Sequence, residues 1–159
     1  MGMGQAVEWS PTVNTAVYAD GQVLGTGNPY TLKMPEFAGA SMILQSVLVR
    51  DRANQKIGID FLFFTETPTG TYTDRTAFVI ADADRSRYIG KFSIIAADYT
   101  TLATGFAEAT KDQIAKAIAK ASGETAGVLR MIAIIRGAAD YVAATDLSAR
   151  FTFLNGDRQ

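Results

Sequence analysis

The side chains of this chain that could do chemistry are mainly carboxylates. The sequence contains no histidine and no cysteine. This excludes catalytic triads, imidazole acids and bases, thiolate nucleophiles, disulfides and metal sites built on either residue. The 16 Asp and Glu residues are left. They could act as oxygen ligands for a hard cation or as paired acid and base groups.

One short segment has the alternating oxygen donors of a calcium loop. Asp82, Asp84 and Ser86 stand two residues apart. A calcium-binding EF-hand loop needs glycine at its sixth position and glutamate at its twelfth, where this chain has Arg87 and a serine. We therefore expect a capped turn, with Asp84 near Arg85 or Arg87, and no metal site.

The other candidates for chemistry are isolated. Asp60 lies inside the most apolar segment of the chain, and a lone acid in such a place is most often at a strand edge or paired with an arginine, as structural support. Residues 25–27 (GTG) lack the third glycine of a dinucleotide loop and the Lys-Ser/Thr of a P-loop. We expect a turn there and no cofactor. Paired carboxylates that meet only in space stay open as an alternative.

The pattern of apolar residues in the segment around Asp60 predicts that this segment forms the core of the fold. Residues 42–64 form two apolar runs around a polar turn that contains Asp51 and Asn54, which predicts a β-hairpin. The second run alternates from residue 57 to residue 63, and Leu62 and Phe64 make its other face apolar as well. A strand that is apolar on both faces must be covered by a second sheet, a helix or another chain.

The remaining segments predict a mainly β fold. Short strands are expected over residues 13–18, 30–34, 76–80, 91–97, 128–135 and 147–154, with one helical turn over residues 82–90. Thr110 and Gln113 match a capping box, and apolar residues follow at helical spacing to Ala121. The predicted fold is an antiparallel, jelly-roll-like β-sandwich with one helix near residues 110–122.

The N-terminus predicts an arm over residues 1–12, followed by a single β-rich domain over residues 13–159. The arm contains small residues and one tryptophan, Trp9. Such a side chain docks either on its own domain or on a neighbour, and the sequence favours neither. If it docks on a neighbour, the expected partner interface consists of Val7, Trp9, Pro11, Tyr30 and Phe37.

The bulk composition excludes several partners. The chain has 159 residues, 48% of them hydrophobic and 19% charged, with a net charge of −1. A general nucleic-acid binder needs a basic face, so no nucleic-acid partner is expected. No apolar stretch reaches transmembrane length, and the N-terminus has no secretory pattern. We therefore expect no membrane partner, and we expect the protein to fold in a cytoplasm.

The order of apolar strands resembles a family of small accessory head proteins of tailed bacteriophages. The segments that carry the resemblance are residues 46–51 (SVLVRD), 59–64 (IDFLFF), 78–82 (FVIAD), 88–92 (YIGKF) and 146–151 (DLSARF). The match covers about residues 40 to 154. The proteins of that family are decoration, or cement, proteins that sit on the major capsid shell, and they have no catalytic residues.

The resemblance implies a protein of the virion that is not an enzyme. It would be made in the host cytoplasm and would lie on the capsid surface, where it binds between major capsid subunits and strengthens the shell. It would act as a homo-oligomer or in many copies. Two alternatives stay open: a neck or tail component of the same particle, and a carbohydrate-binding or hydrolytic β-sandwich.

Overall fold

Two antiparallel β-sheets make up most of the protein. The structure is a computed structural model that describes residues 4–34, 41–118 and 127–156. The described strands are β1 (Gly4–Trp9), β2 (Tyr30–Lys33), β3 (Met42–Asp51), β4 (Gly58–Phe64), β5 (Tyr88–Ile94), β6 (Tyr99–Ala103), β7 (Phe106–Lys111), β8 (Lys116–Ile118), β9 (Val128–Arg136) and β10 (Leu147–Asn155). A short helix, α1 (Asp82–Arg85), and a 3₁₀ turn (Ala96–Asp98) complete the described elements.

The order of the strands is that of a jelly roll. The first sheet runs β1-β10-β3-β7-β6, with β8 paired to the start of β3, and the second sheet runs β2-β9-β4-β5. The chain therefore passes between the sheets repeatedly, so that its first and last strands are neighbours. A two-sheet sandwich with this winding is a jelly roll. The predicted fold class is confirmed.

Aromatic rings fill the space between the two sheets. Phe61 of β4 meets Phe151 of β10 edge to face, with ring centroids 5.0 Å apart. Phe63 contacts the same ring from the next inward position of β4. The period of two along both strands sends these rings to one face, as in other sandwiches. One continuous cluster of buried side chains from both sheets results.

The predicted hairpin over residues 42–64 is wrong, although its two strands and its turn are present. β3 belongs to the first sheet and β4 to the second, so the two strands face each other across the core instead of pairing. Asp51 shapes the turn, since its carboxylate accepts hydrogen bonds from the backbone N–H groups of Ala53 (2.9 Å) and Lys56 (2.8 Å). β4 pairs instead with β9 and β5, because local patterns specify a strand but not its partner.

The two-sided apolar character of β4 has a clear explanation. All seven residues of β4 are buried. One face looks into the sandwich, and the other is covered by the chain's own loops. A second cluster on that outer face joins Leu62 and Phe64 to side chains from β9 and from two loops: Val23, Tyr72, Phe78, Ile80, Ile132 and Ile134. The strand predicted at residues 76–80 contributes only an isolated bridge, between Ala77 and Gln22.

The helix predicted near residues 110–122 is also wrong in the part that the structure describes. β7 continues to Lys111, and β8 pairs with residues 42–44 of β3. Gln113 and Ala115 have φ angles of 55° and 49°, which no α-helix allows. The segment instead gains the backbone pairing offered by β3, and this tertiary contact overrides the helix propensity of its alanines. Residues 119–122 lie outside the described residues.

The segment predicted as an arm is a strand from Gly4 onward. β1 pairs with β10 over six residue pairs, from Gly4 opposite Leu154 to Trp9 opposite Ala149. This pairing continues the first sheet, so residues 4–9 belong to the body of the protein. α1 lies inside the helical turn predicted over residues 82–90. No helix in the described part of the chain is long and apolar enough to cross a membrane.

Candidate functional site

Asp84, the centre of the calcium-like segment, is a fully buried carboxylate. It accepts hydrogen bonds from the backbone N–H groups of Thr69 and Gly70 (2.8 Å each) and from the hydroxyl of Tyr72 (2.6 Å). Arg87 completes the shell with an ion pair at 2.9 Å. The expected pairing with Arg85 or Arg87 is therefore met by Arg87.

The surroundings of Asp84 keep it ionised. Burial by itself raises its pKa, but the hydrogen bonds from Tyr72, Thr69 and Gly70 outweigh that effect, and the pKa lies well below the usual range. A carboxylate that already accepts this many bonds has little capacity for a cation. Among the described residues, no cluster of three or more potential ligands could hold a metal ion. Asp84 fastens the loop that covers β4.

Asp60 is a second buried carboxylate, on the central strand of the second sheet. Its oxygens accept hydrogen bonds from the Ser93 hydroxyl (2.6 Å) and Arg136 Nε (2.6 Å), and Lys91 lies at 3.5 Å. Burial raises the pKa of Asp60, but these bonds and the two positive charges lower it further than burial raises it. Asp60 links β4 to both neighbouring strands, which is the structural support that the sequence indicated.

Asp74 is a carboxylate whose role the sequence analysis missed. It accepts hydrogen bonds from the hydroxyl of Tyr18 (2.7 Å) and the backbone N–H of Gly25 (2.8 Å). Burial, together with this bond, raises the pKa of the Tyr18 hydroxyl far above its ordinary value. Nothing in the spacing of the three residues could have revealed the contact, because 49 residues or more separate Asp74 from each partner.

An apolar groove opens on the outer face of the second sheet. Leu62, Phe78, Ile80 and Tyr88 line it together with one charged side chain, Arg85, and its volume is about 310 Å³. We call these five residues the apolar groove. Arg85 is 67% exposed and pairs with Asp82 on the surface at 3.2 Å. The groove can accept an apolar side chain beside an acidic group.

Exposed apolar side chains accompany this groove. Tyr88 is 39% exposed although its ring contacts Phe64, and Val79, between two residues of the groove, is 76% exposed. Single exposed apolar residues are ordinary, but a concave apolar surface with such neighbours is typical of a binding surface. The sequence predicted only a strand for residues 76–80 and gave no sign of a groove. The groove exists because the loop that contains Phe78 and Ile80 folds over β4.

A second concave site lies where three separate segments meet. Four hydroxyl side chains line it: Ser10, Thr12, Thr145 and Ser148. Arg52 adds a guanidinium group, and Pro11 and Leu147 complete the wall. We call these seven residues the polar pocket. Its volume is about 250 Å³. Hydroxyl and guanidinium groups together suit a polar or anionic ligand.

The five residues of the predicted partner interface have different positions. Trp9 is only 3% exposed and meets Tyr30 edge to face at 5.5 Å. Pro11 is buried, and Val7 and Tyr30 are partly buried against the same core. Phe37 lies outside the described residues.

Trp9 thus docks on its own domain, which is one of the two alternatives that the sequence left open. Trp9 and Pro11 are buried in the isolated chain and offer little surface to a partner. The partner interface itself stays a prediction.

Comparisons with known proteins add little to this geometry. No family model matches the chain, and no curated protein matches its sequence. Among solved structures, it is similar to a chain of the native virion of Kashmir bee virus at neutral pH, with 15% identity and a TM-score of 0.27. That alignment covers 96% of this chain and 68% of the other. At this TM-score the similarity does not indicate a shared function.

Proposed function

We propose that the protein is a structural component of a virion that decorates a phage capsid shell and stabilises it by binding between major capsid subunits. The observation that carries the proposal is the apolar groove on the outer face of the second sheet. Water contacts this concave apolar surface in the isolated chain, and covering it with a partner is favourable, at about 25 cal/mol per Å² of apolar area.

The fold is compatible with this role without selecting it. Jelly rolls occur in viral capsids, in lectins and in cupins, so the site and not the fold must carry the functional argument. The resemblance of residues 40–154 to decoration proteins points to the first of these uses. A cement protein needs a rigid core and an adhesive surface, and in this proposal the sandwich core and the apolar groove supply them.

The groove suggests how a capsid subunit would be held. An apolar side chain of the partner would enter between Leu62 and Tyr88. The exposed ion pair between Arg85 and Asp82 is of the kind that contributes little to stability. Arg85 can therefore exchange Asp82 for an acidic group of the partner at small cost. Many copies on a shell would turn a modest single contact into strong total reinforcement.

Binding to shells tests the proposal directly. Purified shells of the parent particle that lack this protein would be mixed with it, sedimented and imaged. Density repeated over the whole shell, together with greater resistance of the shells to heating, is the expected result. Density at one vertex or along a tail would assign the protein to the neck or tail alternative. Shells that never bind the protein would refute both roles.

The hydrolytic alternative gains no support from the two concave sites. Paired-carboxylate hydrolysis needs two acids about 5 to 10 Å apart across the bond that is cleaved. Neither the apolar groove nor the polar pocket, within the described residues, is lined by Asp or Glu. The buried acids Asp51, Asp60 and Asp84 are all engaged by hydrogen-bond donors of the fold.

A further inference from the structure

We propose that the polar pocket is a binding site for the oxyanion group, phosphate or carboxylate, of a small ligand, with Arg52 as the residue that recognises the charge. The pocket shares no residue with the apolar groove. The inference is therefore independent of the proposed role in a virion, and either one can fail without the other.

The first argument is that Arg52 is an arginine without a partner. The other arginines of the described residues each have one: Arg50 and Arg150 share Glu8, Arg85 pairs with Asp82, Arg87 with Asp84 and Arg136 with Asp60, while Arg75 and Arg130 bond to Val17 and Thr31. In the described part of the chain, the guanidinium of Arg52 has neither an ion pair nor a hydrogen bond. A free guanidinium that lines a pocket presents five N–H donors to whatever enters it.

The second argument is that the acids close to Arg52 do not neutralise it. The carboxylate of Asp51, its neighbour in the sequence, accepts hydrogen bonds from the backbone N–H groups of Ala53 and Lys56. The backbone N–H of Arg52 bonds to the carbonyl of Asp146 at 2.7 Å, so the two residues are neighbours. The Asp146 carboxylate, however, accepts hydrogen bonds from the backbone N–H groups of Val142 (3.0 Å) and Ala143 (2.8 Å). Glu8, close to Ser10 in the sequence, is held by two other arginines.

The third argument is the set of hydroxyl groups. None of the side chains of Ser10, Thr12, Thr145 and Ser148 has a hydrogen-bond partner among the described residues, so all four hydroxyls are free to donate. Hydroxyls and a guanidinium around one cavity can surround an oxyanion with neutral and charged donors, and bonds to the charged donor are the stronger ones. Within the described ranges, no carboxylate lines the pocket to repel an anion.

The size of the pocket limits the ligand. A volume of about 250 Å³ lies below the range of about 300 to 1,000 Å³ that drug-sized ligands occupy. Phosphate or a sugar acid of one ring fits that limit. Pro11 and Leu147 supply a small apolar surface on which the face of a ring could pack. These ligands share one oxyanion group, which is accompanied by further oxygen atoms of the ligand.

Titration calorimetry or NMR titration of the folded protein would test the site with three probes. The probes are inorganic phosphate, glucuronate, which carries a carboxylate, and glucose, a neutral sugar of similar size. We expect phosphate or glucuronate to bind and glucose to bind at least tenfold more weakly. In the NMR titration, the chemical-shift changes should be confined to the residues of the polar pocket. The anion that binds more tightly identifies the source of the oxyanion.

Two substitutions of Arg52 and one control make the test specific. Arg52→Gln removes the charge of an exposed residue, so the fold should persist, and binding of the anion should fall at least tenfold. Arg52→Lys keeps the charge without the planar fork and should give an intermediate loss. Lys33→Gln removes one exposed charge outside the pocket and should change nothing.

Three results would overturn the inference. They are the absence of binding by either anion at 10 mM or so, equal binding of glucose and glucuronate without binding of phosphate, and anion binding that Arg52→Gln leaves unchanged. Circular dichroism of each variant would establish that the fold is retained. Weaker binding in higher salt would give further support, because the proposed contact is an exposed charge pair.

Discussion

The indole ring of Trp9 meets the ring of Phe61 edge to face, with centroids 5.4 Å apart and planes at 90°. Trp9 is the last residue of β1 in the first sheet, and Phe61 is the middle residue of β4 in the second. The contact therefore crosses the sandwich. It ties the N-terminal strand to both sheets, since β1 also pairs with β10 through its backbone.

This contact predicts that Trp9 contributes to the stability of the isolated protein. Trp9→Ala should lower the free energy of unfolding by about 3 to 5 kcal/mol, the usual cost of deleting a buried aromatic ring. The indole Nε1–H has no partner among the described atoms, so Trp9→Phe should cost much less. Urea denaturation of both variants measures the difference. An unchanged midpoint for Trp9→Ala would contradict the core position of the ring.

Asp84 should matter more than its place in a surface turn indicates. Asp84→Ala leaves the Tyr72 hydroxyl and two backbone N–H groups without their acceptor and removes one ion-pair partner of Arg87, and we expect a loss of roughly 3 kcal/mol. The loop over residues 65–87 should then become more sensitive to proteases. Asp82→Ala is the matched control, because the Asp82 side chain is 90% exposed. Similar losses in the two variants would refute the special role of Asp84.

The lowered pKa values of Asp60 and Asp84 predict a loss of stability in acid. Each carboxyl has a lower pKa in the folded state than in the unfolded state. The unfolded state therefore binds protons first, and stability present at neutral pH declines as the pH falls below about 4. Chemical denaturation at several pH values between 7 and 2 would show the decline. Asp84→Asn should make the free energy of unfolding depend less steeply on pH. An unaltered slope would argue that Asp84 does not cause the decline.

The apolar groove can be disabled without touching the core. Arg85 and Val79 are both largely exposed, so the double variant Val79→Asp, Arg85→Glu should fold normally. If the groove binds a capsid subunit, occupancy of shells should fall about tenfold or more, because the new negative charges oppose an apolar and acidic partner surface.

Val142→Asp is the matched control for the groove. Val142 is 83% exposed and does not line the groove, so the same type of substitution there should leave occupancy of shells unchanged. Quantitative cosedimentation with labelled protein gives the comparison. Equal binding by the wild type and both variants would place the contact on another surface of the protein.

Much of the fold could be predicted because strand patterns are local. The period of two in β4 and β10 identified their inward faces, and the second apolar face of β4 predicted a covering layer that the structure contains. The support role of Asp60 and the pairing of Asp84 with a nearby arginine also followed from a simple rule: an acid removed from water needs donors, and arginine supplies them. Such rules depend only on residue type and near neighbours.

What the sequence alone determined, then, is the position of the most apolar strands, such as β4, β9 and β10, that the fold is a β-sandwich, and which classes of chemistry the missing histidine and cysteine exclude. The tertiary structure decided that β3 and β4 face each other instead of pairing, and that residues 116–118 pair with β3 instead of forming a helix. It also brought Arg52 and Thr145 together in one pocket. The physical reason is shared: strand pairing and cavities join residues far apart in the chain, and no local pattern specifies those partners.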